Sequence, residues 1–177
     1  MRISQLHSSN NGKELLFAPS KSEKSGQDND RPKANADGKP WKVMIIDDDD
    51  VVHQVSLMVL ADYEFEGLPV EIIQGYSGKA CRQLLKKHPD TAVLLLDVVM
   101  ETESAGLDAV KYIREELNNQ ALRIIIRTGQ PGQAPEKEIA NQYDINGYTE
   151  KSGLTAQNLF ACITEGLRAY RDLNNIQ

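Results

Sequence analysis

The chain has little that would tie it to an oxidising compartment, a membrane or a polyanion. It has two cysteines in 177 residues, Cys81 and Cys162. Both fall in segments of helical texture and read as reduced packing residues rather than a disulfide. No apolar run approaches the ~20 residues of a membrane span, and the amino terminus "MRISQLHSSNNGK" lacks the apolar core of a secretory signal. Positive charge is in deficit, with 20 Lys and Arg against 26 Asp and Glu and a net charge of -6. That balance argues against non-specific binding to nucleic acid or to an anionic membrane. Together these absences lead us to expect a cytoplasmic protein. What is present is 40% hydrophobic residues, enough for the core of about one domain.

Residues 1–40 are dominated by Ser, Asn, Asp, Gly, Lys and Pro, as in "SKSEKSGQDNDRPKANADGKP". Such a segment buries too little apolar surface to offset its ordering entropy, so a disordered tail is expected. Its one apolar patch, "ELLFA" at 14–18, reads as an incidental cluster rather than a docking motif. From Trp41 onward, short apolar runs alternate with stretches of helical period. Five runs read as strands buried on both faces: "KVMII" (42–46), "VEIIQ" (70–74), "AVLLL" (92–96), "RIIIR" (123–127) and "INGYT" (145–149). Val52, Val55, Val59 and Leu60 make the apolar stripe of a first helix. Leu107, Val110, Ile113 and Leu117 make another stripe, and Leu159, Ile163, Leu167 and Tyr170 a further one. Ser77 and Thr155 are expected N-caps, and Pro135 suits the first turn of a fourth helix through "EKEIANQY". This alternation predicts an α/β, flavodoxin-like, doubly wound five-stranded parallel sheet of order 2-1-3-4-5, with helices on both faces.

Ligands of such sheets bind beyond the carboxyl ends of the strands. There the chain places Asp47 and Asp48 after strand 1, Asp97 after strand 3, Thr128 after strand 4 and Lys151 after strand 5. Strands ~4.8 Å apart set the three carboxylates across one gap, where they raise one another's pKa unless a cation sits among them. An all-oxygen set with few protein ligands suits Mg²⁺, which keeps several waters and takes phosphate oxygens into its shell. A lysine ammonium and a threonine hydroxyl opposite suit a dianionic phosphoryl group. The chemistry this implies is phosphoryl transfer onto Asp97.

With "IIDD", "LLLDVVM", "RTG" and "YTEK" in this order and spacing, residues 41–173 resemble the receiver domain of bacterial two-component response regulators. The resemblance implies that Asp97 is the phosphoacceptor of a sensor histidine kinase or phosphotransfer protein. It implies Mg²⁺ held by Asp47, Asp48, Asp97 and the backbone carbonyl of Val99. Thr128 and Lys151 then read the phosphoryl group, while Thr128 and Tyr148 form the switch. Dimerisation would use the face of the fourth and fifth predicted helices and fifth predicted strand. Such a domain promotes only its own phosphorylation and dephosphorylation, binds no nucleic acid directly and needs no membrane. Asp49 falls where receivers are often acidic, and Asp50 reads as the N-cap of the first helix. Two positions flank the path of the hydrolytic water in receivers, here Val99 and Gln130, and Val99 is expected to slow dephosphorylation. The chain departs from the usual pattern in having Ser152 after Lys151 instead of a proline, and "MET" with one extra loop residue after the phosphoacceptor.

The stretches "LLFA", "LLLDVVMETESAGLDAVKYIREEL" and "RTGQPGQAPE" resemble a subgroup of receivers. Its members precede a domain of unknown function and HD-type cyclic-dinucleotide phosphodiesterase or diguanylate cyclase outputs. Residues 174–177 would then begin a linker to such an output, and this reading is preferred over a stand-alone receiver. A receiver that is never phosphorylated and acts only as a docking module is the main rival. A haloacid-dehalogenase-type phosphatase would need its acidic motif last, whereas here Asp97 precedes Thr128 and Lys151. Smaller features read as structural: "GYSGK" (75–79) as a turn and cap, His53 as a surface histidine, and "ETE" (101–103) as a solvated loop.

Overall fold

The structure, a computed structural model, describes residues 38–129, 142–151 and 155–175, with the side chains of Thr128 and Glu150 outside that description. The N-terminal tail up to residue 37, the fourth predicted helix, Gln130 and Ser152 therefore lie outside it. The described elements are β1 (Trp41–Ile46), α1 (Asp50–Leu60), β2 (Glu64–Phe65), β3 (Leu68–Gly75), α2 (Gly78–Lys87), β4 (Thr91–Asp97), α3 (Ala105–Lys111), β5 (Arg123–Thr128), β6 (Gly147–Glu150) and α4 (Ala156–Asn175). Helix α3 continues through Tyr112–Glu116 as a wider turn, with the Leu117 N–H donating to Tyr112 O at 2.9 Å.

Strand order is β2-β3-β1-β4-β5-β6. The five expected strands are all present and mutually parallel, in the expected order. The sixth strand is a correction. Residues 64–65 fold back antiparallel onto β3, through Glu66 (φ 54°) and Gly67 (φ 76°). Two consecutive positive φ values make the mirror-image tight turn that suits a hairpin, and glycine takes the second position without strain. A two-residue strand has too little alternation to be read from pattern.

Side chains of the parallel strands alternate between two apolar clusters. Val43, Ile45, Val93, Leu95 and Ile125 pack toward α4, with Leu159, Ile163 and Leu167. Met44, Ile46, Leu94, Leu96, Ile124 and Ile126 pack toward α2 and α3, with Cys81, Val110 and Ile113. Trp41 joins the first face together, its indole N–H donating to Phe65 O at 3.0 Å and its ring meeting those of Phe65 and Tyr170 edge-on. Cys81 is buried and free, and burial pushes its thiol up to about 12. Cys162 is also free.

Helix α1 keeps most of its expected stripe, with Leu60 buried and Val52 and Val59 partly buried against the same cluster, but Val55 is exposed. The buried residues are His53, Ser56 and Leu60, while Val51, Val55, Leu57 and Met58 are exposed, Met58 to 80%. The helix carries apolar residues all round, so hydrophobic period alone does not select a face. Hydrogen bonding decides: the His53 Nε2–H donates to Asp47 O at 2.8 Å, and Ser56 Oγ donates to Val52 O at 2.7 Å. Polar groups with local partners can therefore sit against the sheet. His53, expected at the surface, is 1% exposed.

Candidate functional site

The β1 run of apolar residues ends as pairing with β3 ends, and the Asp47 N–H donates to Gly75 O at 3.2 Å. The four aspartates then divide their roles. Asp47 is buried, and its Oδ1 accepts from the Asp49 N–H at 3.0 Å. Asp49 is the N-cap of α1, accepting from the Val51 N–H at 2.9 Å. That corrects the expectation for Asp50, which instead begins the helix and accepts from Gln54 and Tyr76 at the surface. The cap falls one residue earlier because Asp49 has the extended backbone an N-cap requires.

Ile46 pairs with Leu96, so Asp47 and Asp97 stand level on adjacent strands. Lys151, just after β6, donates from Nζ to Asp97 Oδ2 at 2.8 Å and to Asp47 Oδ1 at 3.1 Å. One oxygen from each of Asp47, Asp48 and Asp97 lies within 4.8 Å of the others. The structure thus brings together Asp47, Asp48, Asp97 and Lys151. Burial raises the Asp97 pKa and Lys151 opposes it; with Asp47 adding repulsion, the balance is a raised value. Burial also works against the Lys151 ammonium, but its hydrogen bonds to Asp97 and Asp47 outweigh that and raise its pKa.

Thr128 ends β5, its backbone paired with Glu150. Tyr148 is half-buried against the cluster on the α2 and α3 face. Val99 is exposed in the loop after β4.

Three supports were missed by pattern. Helix α3 begins so close beneath Asp97 that a Cβ on Gly106 would lie 2.0 Å from Asp97 O, and the Gly106 N–H donates to Val98 O at 3.0 Å. Glu101, read as part of a solvated loop, accepts from the N–H groups of Gly78 and Lys79 at 3.0 and 3.3 Å. It joins the loop after Asp97 to the start of α2, and these bonds hold its pKa low despite some burial. Ser77 caps the same helix as expected, accepting from the Ala80 N–H at 3.0 Å. The third is Arg127, buried at the end of β5. Its signal was a charge inside a strand that otherwise reads as buried on both faces.

An all-oxygen donor set of this kind fits Mg²⁺. The structure adds a specific sign of that fit: Asp47 Oδ2 is buried and has no hydrogen-bond partner among the described residues.

No family model matches the chain. A 3'3'-cGAMP-specific phosphodiesterase 2 from Vibrio cholerae is 47% identical over 135 residues, which are 76% of this chain and 26% of that protein. The chain therefore spans about a quarter of that relative's length. Among solved structures, a response regulator receiver domain protein from Clostridium thermocellum is similar, with TM-score 0.62 and 22% identity, over 75% of this chain and 98% of that one. The chain has the receiver fold. A signal receiver domain of a LuxO repressor protein from Vibrio parahaemolyticus is similar at TM-score 0.65 and 18% identity, over 78% and 98% of the two chains. That of an HD domain-containing protein from Pseudomonas fluorescens is similar at 0.62 and 15%, over 76% and 99%. The receiver fold places Asp47, Asp97 and Lys151 at the carboxyl ends of its strands. Among the described residues, no helix is long and apolar enough to cross a membrane.

Proposed function

We propose that this chain is the phosphoacceptor receiver of a two-component phosphorelay, in which Asp97 takes a phosphoryl group from a phosphohistidine of a sensor kinase or phosphotransfer protein. The observation that carries this reading is the Lys151 ammonium bound to Asp97 Oδ2 beside two further carboxylates. An Asp97 carboxylate oxygen attacks phosphorus, the P–N bond breaks, and the imidazole leaves with the bonding pair. Lys151 neutralises the oxygens that gain charge. Asp47, Asp48, Asp97 and the Val99 carbonyl would hold Mg²⁺, which supplies further charge neutralisation when bound. Thr128 and Tyr148, on neighbouring strands, are the switch pair: Thr128 moves toward the new phosphoryl group and Tyr148 turns inward. The interaction face so altered is that of β6, α4 and the segment preceding them, which also serves a homodimer. A cytoplasmic location accords with a kinase partner there.

The identity to the Vibrio cholerae phosphodiesterase favours a more specific role. The receiver would then be the regulatory front of a cyclic-dinucleotide phosphodiesterase, its phosphorylation setting the output's activity. The chain itself is a phosphoacceptor and not the hydrolase.

Acetyl phosphate and Mg²⁺ test the core of the reading. Intact-mass spectra should show one added phosphoryl group in the wild type. The adduct should be absent in Asp97→Asn and absent under EDTA. An adduct that persists in Asp97→Asn overturns the assignment.

A further inference from the structure

Strand β5 ends in a charge that this phosphotransfer chemistry does not use. Arg127 is 2% exposed. It has the same parity as Ile125, which packs on the α4 face of the sheet. Asp47 and Asp97 have the parity of Ile45 and Leu95, residues of that same face. Arg127 is the register partner of Asp97, and the Val98 N–H donates to Arg127 O at 3.3 Å. Three adjacent strands, ~4.8 Å apart, therefore present carboxylate, carboxylate and guanidinium in one row.

The guanidinium is ionised at any physiological pH. Burial lowers its pKa, and the charges that oppose this are those of Asp47, Asp97 and Asp49. Its Nε and Nη1 are nonetheless buried with no hydrogen-bond partner among the described residues. Among the described residues, it forms no ion pair with any carboxylate; the cation bonded to Asp47 and Asp97 is Lys151. Buried donors without acceptors are rare and destabilising, and where they persist they mark a ligand or an ordered water.

We infer that Arg127 is a second cation of the phosphoryl site, its Nε–H and Nη1–H donating to oxygens of the aspartyl phosphate at Asp97. The inference rests on the phosphoacceptor reading of Asp97. Phosphorylation brings about two negative charges and three strong acceptors to the end of β4. Lys151 is a single point charge divided between two carboxylates. A forked guanidinium supplies two fixed donors matched to phosphate oxygens. The same charge repels a divalent cation at Asp47 and Asp48, so Arg127 should act with opposite sign on the two ligands.

Calorimetric titrations of the 177-residue chain with Mg²⁺, and then with beryllofluoride at saturating Mg²⁺, read both signs. In Arg127→Met, beryllofluoride affinity should fall about tenfold or more while Mg²⁺ affinity holds or rises. Arg127→Lys, which keeps the charge and loses the fork, should fall between the two proteins. A natively folded Arg127→Met that binds beryllofluoride within about twofold of wild type overturns the inference. So does a parallel loss of both ligands, the mark of a structural role. If the Met variant does not fold, an Arg127→Lys protein with wild-type beryllofluoride affinity overturns it equally. A wild type that binds Mg²⁺ but no beryllofluoride overturns the phosphoacceptor reading itself.

Discussion

Two arginines are buried at opposite ends of β5, and they are satisfied very differently. Arg114, 8% exposed, lies under the amino ends of β5 and β6. It donates from Nε to Asp144 O at 2.8 Å, and from Nη2 to Leu122 O and Asn146 Oδ1 at 3.0 Å each. Nη1 donates to Asn119 O, and the Asp144 carboxylate adds an ion pair at 3.1 Å. Arg127, at the carboxyl end, leaves Nε and Nη1 idle. The first arginine is a bracket: its acceptors belong to the loops that lead into β5 and β6. The second stands beside the acidic cluster with donors that the described protein does not fill. A buried charge whose bonds are complete is architecture, whereas one whose bonds are incomplete points to something that arrives later.

The largest effect should come from breaking the bracket. Arg114→Met leaves three backbone carbonyls without this donor and takes one of its two donors from Asn146 Oδ1, and should cost roughly 3 kcal/mol or more in urea unfolding. Arg127→Met removes a buried, unpaired charge and should leave stability equal to or above that of wild type. Equal losses in the two variants would erase the distinction between them.

How much of this could be read from sequence follows from the same contrast. The sheet was legible because "KVMII", "AVLLL" and "RIIIR" are too apolar and too short for anything but doubly buried strands. Asp47, Asp48, Asp97 and Lys151 were legible because each stands within two residues of the end of an expected strand, and topology alone then makes them neighbours. On α1, Val52, Val59 and Leu60 were legible but Val55 and His53 were not, because Val55 is as apolar as its neighbours yet exposed, while His53 is buried through one hydrogen bond. Arg127 stands within "RTG" but carries no sequence signal of a role, because pattern attaches chemistry to the residue after a strand and not to a strand's last inward-facing position. Glu101 was missed for another reason: a carboxylate that caps a distant helix leaves no local periodicity.

A smaller effect concerns how long the phosphorylated form lasts, and it probes the solvent side of the site as Arg127 probes the buried side. Val99 is exposed next to the β4 end and offers no hydrogen bond to an in-line water. Val99→Asn supplies one, and an aligning bond of ~1.4 kcal/mol should speed hydrolysis about tenfold. Phosphate release after phosphorylation with acetyl phosphate measures it. A rate that is unchanged or slower removes Val99 as the brake.

The smallest effect is on stability of the metal-free protein, where burial of Asp97 and its bond to Lys151 oppose each other. The net result is a raised Asp97 pKa, so the folded state holds this proton to higher pH than the unfolded chain. Stability associated with Asp97 is then fully present below the unfolded pKa of about 4, and is lost as pH rises through the folded value. Asparagine does not titrate. In EDTA, Asp97→Asn should therefore gain on wild type as pH rises from about 4 toward neutrality, and the difference should level off once folded Asp97 is fully ionised. Saturating Mg²⁺ should reverse the order at neutral pH, because a cation that binds the ionised cluster stabilises wild type by mass action. Thermal unfolding of both proteins across pH, with and without Mg²⁺, tests this. A gap that does not change with pH would mean that Lys151 and burial cancel at Asp97, and one in which wild type gains on Asp97→Asn as pH rises would mean that Lys151 outweighs burial.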